Sequence, residues 1–186
     1  MAKIALPVTV ALYPAPVVLV SCIDKKTNKP NIITIAWCGV ASSNPPLLNV
    51  SIRPSRYSHK LIRETGDFVI NIPSKGLVYK VDRCGIVSGE KADKFQAFGL
   101  TPAPSSKVSS PLILECPVNI ECVTKKILPL GTHDMFLGEV VAVHADESII
   151  TKKNSVDYEK AGAFVYNQGE YWDLGRIIGT YGYSGK

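Results

Sequence analysis

The stretch Ser51-Ile52-Arg53-Pro54-Ser55-Arg56-Tyr57-Ser58-His59-Lys60 concentrates chemistry in this chain: three cations and three serines fall within ten residues. It sits where an expected strand, Leu47–Ile52, runs into an expected helix. Ser55 is a plausible N-cap of that helix and Gly66 a plausible end. A helix start offers unpaired N–H groups and the positive end of its dipole. With Arg53, Arg56 and Lys60 beside it, a phosphate is a natural ligand. The stretch lacks the GxxxxGK[ST] pattern of a P-loop. The same residues also fit a basic surface helix with a serine cap.

Two further stretches suit a ligand. In Asn31–Ser42, small and polar residues interleave with apolar ones. Gly39, Ala41 and Ser42 allow a flat molecule to approach the backbone, and Trp37 can wall a planar ring. A core strand with one buried Trp fits equally. In Gly131–Val140, a loop feeds a strand and brings His133 to its end, where it could meet a ligand or simply face water. His59 and His144 read as structural or solvated. HExxH, GxSxG and GxGxxG signatures are missing, so metal hydrolysis, serine hydrolysis and dinucleotide binding of the Rossmann kind have no motif support. Cys38 and Cys84 have no evident base partner.

The elements that must position these residues are mostly strands. Val17–Ile23 and Asn31–Val40 flank a polar turn block, Asp24–Pro30, and predict a hairpin. Asn44-Pro45-Pro46 is a hard turn before Leu47–Ile52, and Phe68–Ile72 is another strand. Helices are expected from Ser74 to Arg83 and from Glu90 to Phe98, the latter ended by Gly99. Pro102–Pro111 reads as an irregular connector. Leu112–Cys116, Val118–Ile127, Met135–Ala145 and Phe164–Asn167 complete the strands. The aromatic, Gly-rich segment Tyr171–Tyr183 is a candidate cover for apolar surface. The pattern is mainly β (α+β): a β-barrel with helical insertions in a single domain, 1–186.

Composition bounds the rest. The chain has 186 residues, 46% of them hydrophobic and 20% charged, with a net charge of +5. A chain of this length buries about 70% of its unfolded surface and needs no staples. The mild positive charge suits anionic small molecules or acidic partners and does not by itself argue for nucleic acid. Five cysteines, at 22, 38, 84, 116 and 122, form no CxxC pair and read as reduced thiols of a cytoplasmic protein. Leu19-Val20-Ser21-Cys22 looks like a lipoprotein cleavage site, but Pro7, Pro14 and Pro16 interrupt the stretch before it. No apolar run is long enough for a membrane span.

Taken together, these motifs resemble the flavin reductase-like, FMN-binding split-barrel family, especially its flavoredoxin-like branch. The residues that carry the resemblance are Asn31–Trp37, Ser43–Ile52, Arg53–Lys60, Gly66–Pro73 and Gly131–Val140, within a match over about 10–180. The resemblance implies a split β-barrel that forms a homodimer, with FMN held non-covalently near the subunit interface. Thr34, Ala36 and Trp37 would line the isoalloxazine ring. Ser51 and Arg53, with Ser55, Tyr57, Ser58 and Lys60, would hold the ribityl chain and phosphate. Lys94, His133 and Tyr166 would face the open side of the flavin, where an electron donor docks. Arg56 could serve the phosphate or point to solvent. The function implied is an oxidoreductase passing electrons from NAD(P)H through bound FMN to a small-molecule or protein acceptor, with no metal, membrane or nucleic acid. A flavoredoxin-type electron carrier and a non-catalytic ligand-binding barrel are the alternatives.

Overall fold

The computed structural model describes residues 1–185. Its elements, in chain order, are β1 (Ala15–Pro16), β2 (Val18–Asp24), β3 (Lys29–Ile35), β4 (Cys38–Ser43), β5 (Pro46–Ile52), α1 (Tyr57–Thr65) and β6 (Asp67–Ile72). There follow α2 (Val78–Ile86), α3 (Lys94–Phe98), β7 (Pro102–Ala103), β8 (Leu112–Ile113), β9 (Val118–Pro129), β10 (Asp134–Ala145), β11 (Phe164–Asn167) and β12 (Glu170–Asp173). Seven strands form one antiparallel sheet in the order β3-β2-β6-β9-β10-β5-β4. Its two edges, β3 and β4, are consecutive in sequence and separated only by Ala36 and Trp37. So short a link forces the sheet to curl until its edges meet. The Ser51 N–H donates to the Trp37 carbonyl at 2.8 Å across that junction. The result is a barrel split beside β3, with a smaller sheet, β1-β11-β12, next to it.

The curl explains the residue pattern of β2. Val18, Val20 and Cys22 face the barrel interior with Ile33, Val50 and Phe136. Val17 and Leu19 face a second core, where Val81 and Cys84 of α2 and Phe95 of α3 pack. A strand covered on both faces reads as a continuous apolar run. Gly138 of β10 marks a tight place: a Cβ there would lie 2.6 Å from Phe68 Cζ and 3.0 Å from Cys122 Cβ.

Several boundaries differ from the sequence reading. The expected strand Asn31–Val40 breaks at Ala36-Trp37, because the barrel must turn its edge there. The expected helix from Ser74 starts as a 3-10 turn, Lys75–Leu77, and becomes α-helical only at Val78. The helix expected from Glu90 begins at Lys94, where Asp93 caps it by accepting from the Gln96 N–H at 3.1 Å. The connector Pro102–Pro111 is irregular yet well anchored. Fully buried Glu121 accepts the backbone N–H groups of Ser106, Lys107 and Val108, and Asp67 accepts those of Ser109 and Ser110. Burial alone would raise the Glu121 pKa; these bonds and His144 bring it down to about 2. Beyond β12 the tail does not cover its own core: Leu174, Ile177, Ile178, Tyr181 and Tyr183 are all exposed. All five cysteines are free.

Candidate functional site

A cleft of about 380 Å³ lies in the split of the barrel. The edge of β3 supplies Ile33 to Ile35, and Ala36 and Trp37 follow from the turn. The end of β5 supplies Ser51 and Ile52, and the junction into α1 supplies Arg53 and Arg56. Gly85 from α2, His133 from the β9–β10 loop and Tyr166 from β11 close the wall. One end is aromatic. The rings of Tyr13, Trp37 and Tyr166 stand mutually tilted, with centroids 6.0–6.3 Å apart. Trp37 keeps 37% of its surface exposed where it lines the cleft.

The other end is cationic and leads into a smaller recess of about 160 Å³. Ile33, Arg56 and Gly85 line both spaces. The recess adds Ser55, Tyr57, Ser58, Ser88, Gly89 and Lys94. It sits on the N-terminus of α1, whose cap residue is Arg56 rather than the expected Ser55 and which no side chain caps. The first N–H groups of α1 therefore keep their donor capacity, with Arg53 and Arg56 beside them. This is a fit for a phosphate. The aromatic end is a fit for a planar ring, and the distance between is spanned by polar Ser51.

The expected site residues divide accordingly. Thr34, Ala36, Trp37, Ser51, Arg53, His133 and Tyr166 line the cleft. The Thr34 hydroxyl is already committed, donating to the Val81 carbonyl, so only its lone pairs remain for a ligand. Ser55, Tyr57 and Ser58 line the recess, but two of their hydroxyls have partners. Ser58 accepts from Asn31 Nδ2 at 2.7 Å, and Tyr57 donates to Asp24 at 3.1 Å. Lys60 is exposed on α1 and lines neither space, because the helix turns it outward. Lys94 does not face the open side of the cleft. It is buried at the recess, where its ammonium donates to the carbonyls of Ile32 at 2.7 Å and Cys84 at 2.6 Å. Burial lowers its pKa to about 8. Arg56, which sequence left open, belongs to the cleft. Gly85, Ser88 and Gly89 were missed; the only local signal was the turn-forming pair Ser88-Gly89 after an apolar helix.

Two histidines frame the cationic end. His133 is half-buried, and burial together with the Arg53 charge holds its pKa below the ordinary value, so it is neutral at pH 7. His59 is buried, not solvated. Its Nε2 lies 2.8 Å from Asp134, and its ring meets Phe136 edge-on. This pair ties α1 to the start of β10 and so fixes where His133 and Arg53 stand. Among the described residues, no three His, Cys, Asp or Glu side chains gather closely enough to hold a metal ion. Among the same described residues, no helix is long and apolar enough to cross a membrane.

A split barrel whose open seam carries an aromatic wall at one end and an uncapped, cation-flanked helix start at the other defines a class. Residues 10–175 match the flavin reductase like domain, and the chain belongs to that family. Its fold is shared along the whole chain with the flavoredoxin of Desulfovibrio vulgaris (Miyazaki F), at 35% identity, TM-score 0.93 and full coverage of both chains. The flavoredoxin of Methanosarcina acetivorans is similar at 32% identity and TM-score 0.91, over 100% of this chain and 98% of that one. An FMN-binding protein from Thermus thermophilus is similar at 25% identity and TM-score 0.80, over 97% of each chain.

Proposed function

We propose that this chain binds FMN in the seam of its barrel and serves as an oxidoreductase that passes electrons from NAD(P)H to an acceptor. The observation that carries the reading is the match between the site's two ends and the two ends of FMN. Trp37, Ala36 and Tyr166 wall the ring. Ser51 meets the ribityl chain. Arg53, Arg56, Lys94 and the first N–H groups of α1 hold the phosphate. When bound, FMN supplies the redox chemistry, accepting a hydride and releasing electrons. The protein positions the ring, keeps water from its buried face and places hydrogen-bonding groups around it. Neutral His133 offers a ring nitrogen at the rim without adding a positive charge that Arg53 would repel. The five free thiols fit a reducing, cytoplasmic setting.

A second reading, an electron carrier exchanging with protein partners, draws on the full-length similarity to flavoredoxins and on the net charge of +5, which suits an acidic redox partner. The visible spectrum of the purified protein, with mass analysis of what heat releases, tests the site. A yellow protein yielding FMN is expected; a colourless one that takes up no added FMN would remove both readings. Reduction by NADH, NADPH and a reduced ferredoxin-like protein then separates them. Fast oxidation of a nicotinamide supports the enzyme. Slow nicotinamide reduction beside fast reduction by the protein donor supports the carrier.

We further propose a homodimer. Ile4, Leu6, Val8, Val10 and Leu12 alternate along an unpaired N-terminal arm, and all are exposed, as are the apolar residues of the tail. Exposed apolar surface on two long terminal segments is a mark of association.

A further inference from the structure

Two consecutive residues of β3, Asn31 and Ile32, reach three walls of the recess. Asn31 is buried, with 4% of its surface exposed. Its amide nitrogen donates to the Ser58 hydroxyl, in the first turn of α1, at 2.7 Å and to the Cys22 sulfur at 3.8 Å. Both amide hydrogens therefore have partners. The amide oxygen faces the turn after α2: a Cβ on Gly89 would lie 1.9 Å from Asn31 Oδ1. Only glycine allows so close an approach. The Ile32 carbonyl accepts from the Lys94 ammonium at 2.7 Å. Ser58, Gly89 and Lys94 all line the recess, yet they come from α1, the loop after α2, and α3. What they share is contact with this pair of β3 residues.

The chemistry of Ser58 gives the first of these contacts a function. A hydroxyl has one proton to donate and two lone pairs to offer. The Asn31 amide fills a lone pair, which leaves the proton for another acceptor. On the protein side that acceptor is the Cys22 thiol, a weak one. A phosphate oxygen in the recess is a strong one. An uncharged amide suits the task better than a carboxylate, which would take the Ser58 proton and repel the phosphate.

We propose that Asn31 is a positioning residue for the flavin phosphate: by donating to Ser58 it turns the proton of that hydroxyl towards the recess. The inference rests on the flavin reading above. Asn31 lines neither the cleft nor the recess, so it acts through Ser58 and favours FMN over riboflavin without touching either.

Calorimetric titration of flavin-free protein with FMN and riboflavin tests this, using the unsubstituted chain, Asn31→Ala, Ser58→Ala and the double variant. Each single substitution is expected to weaken FMN about tenfold, the scale of one hydrogen bond to a charged group, and to leave riboflavin within about twofold. The double variant should also weaken FMN about tenfold rather than about a hundredfold, because both residues serve one bond. Asn31→Ser, whose hydroxyl is too short to reach Ser58, repeats the cycle should Asn31→Ala fail to fold. Losses that multiply in the double variant, or a riboflavin loss equal to the FMN loss, would make Asn31 a structural residue only and overturn the proposal while leaving the flavin reading intact. So would an FMN affinity indifferent to Ser58→Ala. Failure of the unsubstituted chain to bind either flavin would overturn both.

Discussion

At the residue scale, the cations of the Arg53–Lys60 stretch are not equivalent. Arg53 and Arg56 line the cleft, whereas Lys60 points to solvent. Replacing either arginine by alanine should weaken FMN by about 1–3 kcal/mol, the usual cost of losing a hydrogen bond to a charged group. Lys60→Ala should leave the FMN Kd unchanged in the same titration. Lys94 gives a pH signature. Burial lowers its pKa to about 8 in the free protein. A phosphate dianion beside it favours the charged form, so binding above pH 8 must take up a proton. FMN affinity should therefore fall as pH rises from 8 to 9, while riboflavin affinity, with no phosphate to sense the charge, should stay flat. A flat FMN profile would place Lys94 away from the phosphate. The family resemblance placed Lys94 on the open side of the flavin; its burial, with its ammonium donating to the Ile32 and Cys84 carbonyls, is a product of how α2 and α3 stack on β3.

At the element scale, the cleft exists because β3 and β4 are joined by two residues and β5 returns beside them. Whatever disturbs the curl of the sheet disturbs the seam. Gly138 lets β10 pass over Phe68 and Cys122 without a side chain, and neither neighbour is free to retreat inside the barrel. Gly138→Ala should cost about 1–3 kcal/mol by overpacking. Denaturant unfolding would read it as a lower midpoint at unchanged slope. The strand alternation and the Gly66 helix end were legible locally: Gly66 sits at φ 76° with its N–H on the Ile62 carbonyl at 2.9 Å. The break at Ala36-Trp37 was not, because its cause is closure of the barrel rather than any helix or turn propensity of those two residues.

At the scale of the whole molecule, two quantities follow from the thiols and the terminal segments. Burial pushes Cys22, Cys38 and Cys122 up to about 12 and Cys84 to about 11, and it raises Cys116 as well. Above about pH 9 the unfolded chain loses these protons and the folded chain keeps them. Folded protein then binds more protons, so stability falls with rising pH. Lys94 acts in the opposite sense from about pH 8, since it is the unfolded chain that keeps its proton there, but it is one group against five. Thermal unfolding under reducing conditions should give a Tm that drops steeply above pH 9. Light scattering should give the mass of a dimer. Removal of the first 12 residues should lower association without unfolding the barrel, since that arm enters none of the strands.

By itself the sequence determined the strand-rich class and the position of a helix start flanked by Arg53 and Arg56. The family resemblance implied Thr34, Ala36, Trp37, Ser51 and Arg53 as site residues, and all five line the cleft. The strands and the helix start depend on periodicity, glycine and proline punctuation, and charges close together in the chain, all of which act over a few residues. Only the tertiary structure decided that Gly85, Ser88 and Gly89 complete the recess, that Lys60 lies outside it and that Lys94 is buried at its wall. Those facts come from segments tens of residues apart, brought together when helices bury their apolar faces on β3. No local pattern records which side of a packed layer a distant residue will meet.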